Sequence, residues 1–283
     1  MLAAAAEALK RGEQVALVTI VRTQGSTPQR AGAKMLVFAD GHTVGTIGGG
    51  CYENDAFWKA REAITSGRPA LLHYELNDDF AQENGLVCGG RMDVHIDPLA
   101  PDPHLYIVGA GHVGWHLGRT AGDAGFKLHV VDDREKFASR ERFPEAIEIV
   151  AEPIPDWLER ADIPTTAYVV IVTRGHQHDL AALRTLAARD LKYVGLIGSR
   201  AKVARIFNAL ADEGVPADQL ERVHTPIGLN IGAVTPAEIA VSILAELIAV
   251  RRGVDVSGLS MKALRPDRLR QSAESLVAKR SRS

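Results

Sequence analysis

The chain has 283 residues, 46% of them apolar and 24% charged, the balance of a globular protein with length for two ordinary cores. Its formal charge of −2 gives no electrostatic case for nucleic acid as a partner. No apolar run reaches the roughly 18 residues of a membrane span.

The opening "MLAAAAEALKRGEQ" reads as a first helix. No basic residue precedes its apolar stretch and Glu7 and Lys10 interrupt it, so it does not read as a secretory signal. The two cysteines, Cys51 and Cys88, are far apart and form no disulfide framework. Without an export signal the expected compartment is the cytoplasm, where thiols stay reduced. "QVALVTIV" and "AKMLVF" read as strands, followed by a turn at "ADGH" and a short strand "TVGTI". Helical spacing runs from about Cys51 through Ala56, Ala60 and Ile64, with Gly67 as its stop. "ALLHYEL" and "RMDVHI" are two further strands, and the three prolines of "DPLAPDPH" mark a boundary.

From His104 the pattern changes. "LYIVGAG" is a buried strand ending in a glycine turn, and "VGWHLGRTAGDAG" is a helix with small residues along one side. "KLHVVDD", "IEIV", "AYVVIVT" and "KYVGLIG" follow as strands, the last two with helices after them. Apolar strands alternating with helices imply a parallel sheet covered on both faces. "TPAEIAVSILAELIAV" is a helix with Thr235 as N-cap, Pro236 in the first turn and Glu238 completing a capping box. From Arg251 onward, nine Lys/Arg face three Asp/Glu, which reads as a solvated basic end. The expected fold class is α/β, with three segments: a small N-terminal α/β domain over residues 1–100, a C-terminal Rossmann-like domain with a parallel sheet over 101–253, and a basic polar tail over 254–283.

The best-defined motif is "VGAGHVG", with Gly109, Gly111 and Gly114 between a strand and a helix, and a second strand ending at Asp132 and Asp133. This is the setting of the dinucleotide fingerprint. Gly109 permits the tight turn, Gly111 the approach of a pyrophosphate, and Gly114 close helix packing, while Asp132 would accept from ribose hydroxyls. The same glycines also serve helix packing alone. An NAD(P)-dependent oxidoreductase is one reading, but the chain offers it no clear catalytic constellation. "TRGHQHD" places His176, His178 and Asp179 at the carboxyl edge of the sheet, either as acid/base or metal-binding groups or as a polar loop before a helix. A nucleotide-sensing regulatory protein is a third reading.

The other chemistry lies around the cysteines. "GSTPQRAGAK" is a loop containing Ser26, with Arg30 and Lys34 nearby, and "IGGGC" follows one strand later. Backbone N–H groups of Gly48, Gly49 and Gly50 would form an anion-binding concavity, with Cys51 near a helix N-terminus that stabilises a thiolate. Such a thiol is a nucleophile or a soft ligand for a thiophilic metal, and Glu53 would hydrogen-bond a ligand. Equally, Cys51 reads as a small buried helix residue. Cys88, before "GGR", is a weaker instance of the same pattern.

With "GSTPQRAGAKM", "GTIGGGCYE" and "CGGRMDV" in the first half, and "GAGHVG", "VVDDR", "YVGLIGSRAKV" and "PIGLNIGAVTPAEIAVSILAEL" in the second, the chain resembles the XdhC/CoxI family. These are accessory proteins of molybdenum hydroxylases such as xanthine dehydrogenase. It departs from the pattern at "TRGH", where a second histidine is expected in place of Arg174 or Gly175. The resemblance implies a chaperone, not an enzyme, that binds molybdenum cofactor, protects it while its terminal sulfur is installed, and delivers it. Its implied partners are the molybdenum-binding subunit of xanthine dehydrogenase and a cysteine desulfurase, with no nucleic acid and no membrane. Cys51 would contact the metal or its sulfur, with Ser26, Gly48, Gly49 and Gly50 shaping the cradle. Some hydroxylases carry a dinucleotide form of the cofactor, and Gly109, Gly111, Gly114 and Asp132 would suit its pyrophosphate and ribose. The apolar helix after Thr235 suits a homodimer interface or a core.

Overall fold

A computed structural model describes residues 1–76, 89–256 and 258–260. Cys88, and the tail beyond Ser260, lie outside the described residues. The chain divides into two compact units, Met1–Pro101 and Asp102–Ser283.

The first unit is built on one antiparallel sheet. Helix α1 (Leu2–Lys10) leads into β1 (Val15–Gln24), β2 (Lys34–Phe38) and β3 (Thr43–Gly45). Helix α2 (Gly50–Ser66) then precedes β4 (Ala70–Glu75) and β5 (Arg91–Leu99). The spatial order is β3-β2-β1-β5-β4. Strand β1 alternates in burial, so Ala16, Val18 and Ile20 point to one face. Helix α2 covers that face with Ala56, Ala60, Ala63 and Ile64, positions that recur on one side of a 3.6-residue helix. Gly67 ends α2 in the left-handed conformation at φ 66°. Helix α1 packs Ala5 and Ala8 beside Val15, Leu36 and Phe38.

Strand β5 runs three residues past the expected Ile96. Its pairing with β4 ends at Ala70↔Ile96, while Ala16↔Pro98 and Val15↔Leu99 continue on the β1 side. Pro98 therefore stands where the strand has a neighbour on one side only, the kind of position at which a strand tolerates proline.

The second unit holds a parallel sheet. Its strands are β6 (His104–Val108), β7 (Lys127–Asp132), β8 (Glu148–Ala151), β9 (Tyr168–Ile171) and β10 (Tyr193–Leu196). Their order is β10-β9-β6-β7-β8, with every pair parallel. Numbered within the unit this is 3-2-1-4-5 read from the far edge, the doubly wound order whose chain reverses direction beside the first strand. Helices α3 (His112–Asp123), α5 (His176–Leu186), α6 (Arg200–Asp212) and α8 (Pro236–Arg252) cover it. Two shorter helices, α4 (Ile154–Arg160) and α7 (Ala217–Arg222), join them. Sequence periodicity missed both short helices, because prolines at and beside their starts mask so few turns.

Alternate side chains of the same strands feed two cores. Val108, Val169, Ile171 and Leu196 meet α4 to α7. Leu105, Ile107, Val130 and Val170 meet α3 and α8. Fully burying each such Val, Leu or Ile side chain contributes about 1.5–3 kcal/mol. Helix α8 carries the expected capping box: Glu238 N donates to Thr235 Oγ1 at 3.3 Å, and Thr235 N donates to Glu238 Oε2 at 2.9 Å. At its far end, Arg251 Nη1 donates to Ala124 O at the end of α3. Among the described residues no helix is long and apolar enough to cross a membrane.

Candidate functional site

In the first unit the chemistry gathers where β3 hands over to α2. Gly48, Gly49 and Gly50 have φ of 126°, 74° and 71°, three consecutive positive values that side chains with a Cβ rarely adopt. Helix α2 starts at Gly50, so Cys51 is its second residue, half-buried and free.

Glu53 organises this corner. Its Oε2 accepts from Thr46 Oγ1 at 2.5 Å, Ile47 N at 2.8 Å and Gly49 N at 3.1 Å, while Gly48 N donates to Thr46 Oγ1. Oε2 is thus engaged by its own loop, and Gly48 N and Gly49 N, expected as donors to an anion, are spent on Thr46 and Glu53. Burial raises the Glu53 carboxyl, but the donors Thr46, Ile47, Gly49 and Gly48 outweigh it and leave the group below its ordinary value.

Three glycine-rich segments converge here. A Cβ on Gly48 would come within 2.7 Å of Pro28, and one on Gly90 would fall on the carbonyl oxygens of Ser26 and Gln24. Gly25 faces Gly90 from the other side, its own added Cβ 3.2 Å from Gly90 Cα. The loop at Gly25–Pro28, with Ser26 exposed, is thus bracketed by Gly48 and by Gly90. At Gly90 only glycine permits this closeness of backbone to backbone, while at Gly48 the missing side chain makes room for the Pro28 ring.

In the second unit the glycine turn lies at the carboxyl end of β6, beside the exit of β9. Gly109 has φ 113°, and a Cβ there would stand 2.6 Å from Val172 O and 2.9 Å from Thr173 Cα. A Cβ on Gly114 would fall on Gly109 O, so the first turn of α3 rests directly on the glycine loop. Gly111 differs: it is the N-cap of α3, and a Cβ there meets nothing within 4 Å. The first N–H groups of that helix have no partner within the helix itself.

Asp132 is engaged within its own unit. It is 2% exposed. Its Oδ2 accepts from Ala110 N and from Arg134 Nη2, both at 2.8 Å. Its Oδ1 accepts from Arg134 N at 3.0 Å and Arg134 Nε at 2.7 Å. Four N–H groups therefore occupy the carboxylate expected to accept from a ribose. Burial raises its carboxyl, and the bonds from Arg134 and Ala110 more than offset that, holding it below the ordinary value. Next to it, Asp133 pairs with Arg174 from the β9 exit.

The "TRGHQHD" stretch forms the start of α5, with Gly175 as N-cap and His176 exposed. Asp179 is fully buried, accepts from Thr173 Oγ1 at 2.6 Å and pairs with Lys202. Among the described residues no group of three His, Cys, Asp or Glu could hold a metal ion.

A buried carboxylate that sequence reasoning passed over sits in α8. Glu246 is 0% exposed. Its Oε2 accepts from Tyr193 Oη at 2.6 Å and Gly228 N at 2.9 Å, its Oε1 accepts from Ser260 Oγ at 2.6 Å, and His224 Nδ1 lies 3.6 Å away. Burial raises this carboxyl, but His224, Ser260, Tyr193 and Gly228 together bring it down to about 2. It ties the "TPIGLNIG" loop to the helix. The available signal was one charge on the apolar side of the helix, between Ile243 and Leu247.

The comparisons with known proteins fit this two-part organisation. The XdhC and CoxI family pattern matches residues 8–75, and the XdhC Rossmann domain pattern matches residues 105–247. In Escherichia coli, the uncharacterized protein YqeB is 38% identical over 264 residues, which cover 92% of this chain; the chain spans only 48% of YqeB. A probable xanthine dehydrogenase subunit from Bacillus subtilis is 25% identical, over 88% of this chain and 96% of its own length. The molybdenum cofactor insertion chaperone PaoD of Escherichia coli is 26% identical, over 87% of this chain and 86% of its own. The crystal structure of a xanthine dehydrogenase from Bacillus halodurans superposes with a TM-score of 0.51 at 25% identity, covering 89% of this chain and 96% of that one. With a parallel-sheet unit matched from residue 105 to residue 247 and its glycine-rich partner matched ahead of it, the chain belongs to the XdhC/CoxI family.

Proposed function

We propose that the chain is a carrier of molybdenum cofactor that delivers it to a xanthine dehydrogenase-type hydroxylase in the cytoplasm. The observation that carries this reading is the glycine floor at the start of α2, where Gly48, Gly49 and Gly50 turn left-handed in succession and set Cys51 into the first turn of the helix. The likeness to a cofactor insertion chaperone over 87% of the chain supports it. Molybdenum cofactor is a pterin bearing a phosphate and a dithiolene-bound metal. Its carrier needs donors for an anion and a soft atom for the metal or its sulfur.

In this reading residues 1–100 form the cargo unit, where Cys51 contacts the metal or its sulfur, and Ser26 and the three glycines shape the cradle. Thr46 and Glu53 hold the cradle's form by accepting from Gly48 N and Gly49 N, so these glycines contribute shape and not those two donors. The Rossmann-like unit, residues 101–253, offers Gly111 and the start of α3 to a phosphate group. Carrying the cofactor in a folded cradle protects it while a cysteine desulfurase supplies the terminal sulfur, before transfer to the molybdenum-binding subunit. Self-association as a homodimer is part of the same proposal.

The test mixes the protein with free molybdenum cofactor, separates it by gel filtration, and measures molybdenum and pterin in the protein peak. The expected result is stoichiometric retention, lost in Cys51→Ala. Retention in both proteins would keep the carrier and remove the cysteine from it. Retention in neither would overturn the reading.

A further inference from the structure

We propose that Arg134 is a selectivity residue that closes the ribose corner of the second unit, so that the Gly109 turn excludes dinucleotides. If the carrier reading holds, this restricts the cargo to the pterin monophosphate form of the cofactor. In the doubly wound fold an acidic residue at the end of the second strand accepts hydrogen bonds from the ribose of a dinucleotide. Asp132 holds that position, at the end of β7.

A carboxylate has about four lone-pair sites, and all of those on Asp132 are spent. Ala110 N takes one, and the backbone N, Nε and Nη2 of Arg134 take the others. The Arg134 contacts are charge-assisted and two-pronged, so they are stronger than the neutral hydroxyl contacts that would have to displace them.

The guanidinium has two further neighbours. Its carbon lies 3.8 Å from the centroid of the Phe137 ring, a favourable cation–π distance. Its Nε lies 3.8 Å from Asp133 Oδ1. The Arg134 side chain is 27% exposed and that of Asp132 only 3%, so the arginine is the lid and the carboxylate lies beneath it.

The same geometry disfavours a phosphorylated ribose. In proteins that accept a 2′-phosphate an arginine faces that group. Here Nε and Nη2 are turned inward onto Asp132, and Asp133 adds a second carboxylate to the corner, itself held by Arg174.

The test is calorimetric titration of the full chain with ADP-ribose and with its 2′-phosphate, alongside Arg134→Ala and Phe137→Ala. Each variant is first checked for a cooperative thermal transition. The unaltered chain is expected to bind both probes more weakly than about 1 mM. Arg134→Ala is expected to gain roughly tenfold or more for ADP-ribose alone. Phe137→Ala, which loosens the lid and leaves the Asp132 pair in place, should gain less, and it keeps the question answerable if Arg134→Ala does not fold. Binding of either probe tighter than about 1 mM by the unaltered chain, or no gain in any folded variant, would overturn the proposal. Neither outcome depends on molybdenum. A chain that retains no cofactor but shows the expected ADP-ribose pattern would lose the carrier reading and keep the closed corner.

Discussion

Gly111 and Gly114 stand three residues apart in one motif and have opposite sensitivities. Alanine has the higher helix propensity, worth about 1 kcal/mol over glycine inside a helix. At Gly114 that gain is overwhelmed, because the added Cβ would fall on Gly109 O. Gly114→Ala should destabilise the protein by about 3 kcal/mol. At Gly111 the Cβ meets nothing within 4 Å and φ is −64°, so Gly111→Ala should change stability by less than about 0.5 kcal/mol. Thermal melts of the two proteins side by side would check the contrast. Glu53 gives a second prediction at this scale. Its neutral isostere keeps an acceptor for Ile47 N and Gly49 N but loses the charge, so Glu53→Gln should cost about 1 kcal/mol. Because its folded value lies below its ordinary one, the stability it contributes is present above the unfolded carboxyl value. That stability should fade as pH drops through the folded value, and the loss should be absent from the Gln variant.

Helix α8 shows how one element depends on both its end and its middle. The capping box at Thr235 and Glu238 satisfies N–H groups that the helix cannot satisfy itself. Thr235→Ala should cost about 1 kcal/mol, read as a lower melting temperature. The middle is more sensitive. Glu246 joins Tyr193 of β10, Gly228 of the preceding loop and Ser260 to the helix. Glu246→Ala would leave Tyr193 Oη and Gly228 N buried without their acceptor, at a cost of about 3 kcal/mol. Its folded value of about 2 lies below the ordinary 4.5. The stabilisation is therefore complete above pH 4.5 and lost as pH falls toward 2. Acid titration of the melting temperature should show this limb in the unaltered chain and a flatter one in Glu246→Gln.

At the scale of the whole molecule, the antiparallel and parallel sheets each close over cores of their own. A core complete within one segment needs no help from another. Residues 1–101 and 102–283, produced separately, are therefore expected to melt cooperatively, as circular dichroism would record. A fragment lacking a cooperative transition would show that its core is not sufficient alone. Both candidate corners lie at the carboxyl end of a strand or the start of a helix, but in the first the Gly48 and Gly49 N–H groups are taken by Thr46 and Glu53. The shared rule is that glycine removes side chains so that neighbouring segments can pack closely, as at Gly48, Gly90, Gly109 and Gly114.

How much of this was legible in the sequence depends on the range of the interactions involved. Local chemistry sufficed for the α/β class, the Gly67 stop of α2, the capping box of α8, the glycine turn at Gly109 and the family resemblance. Each is written in residues a few positions apart: alternation for β1, three-to-four spacing for α2, Thr-x-x-Glu for the cap. Partner choice was not legible, because it is settled across the chain by whichever group comes nearest. The residue types alone suggest a ligand for Glu53 and a ribose for Asp132, and say nothing of which donors in the chain reach them. Folding brought Ile47 and Gly49 onto Glu53 Oε2 and wrapped Arg134 around Asp132. A buried carboxylate must find donors wherever the fold supplies them. Glu246 follows the same rule over a longer distance, with Tyr193 53 residues away in the chain. Sequence alone determined the longer elements and where glycine must stand; the tertiary structure decided which donors each carboxylate holds, because hydrogen-bond partners are assigned by proximity in space and not by order along the chain.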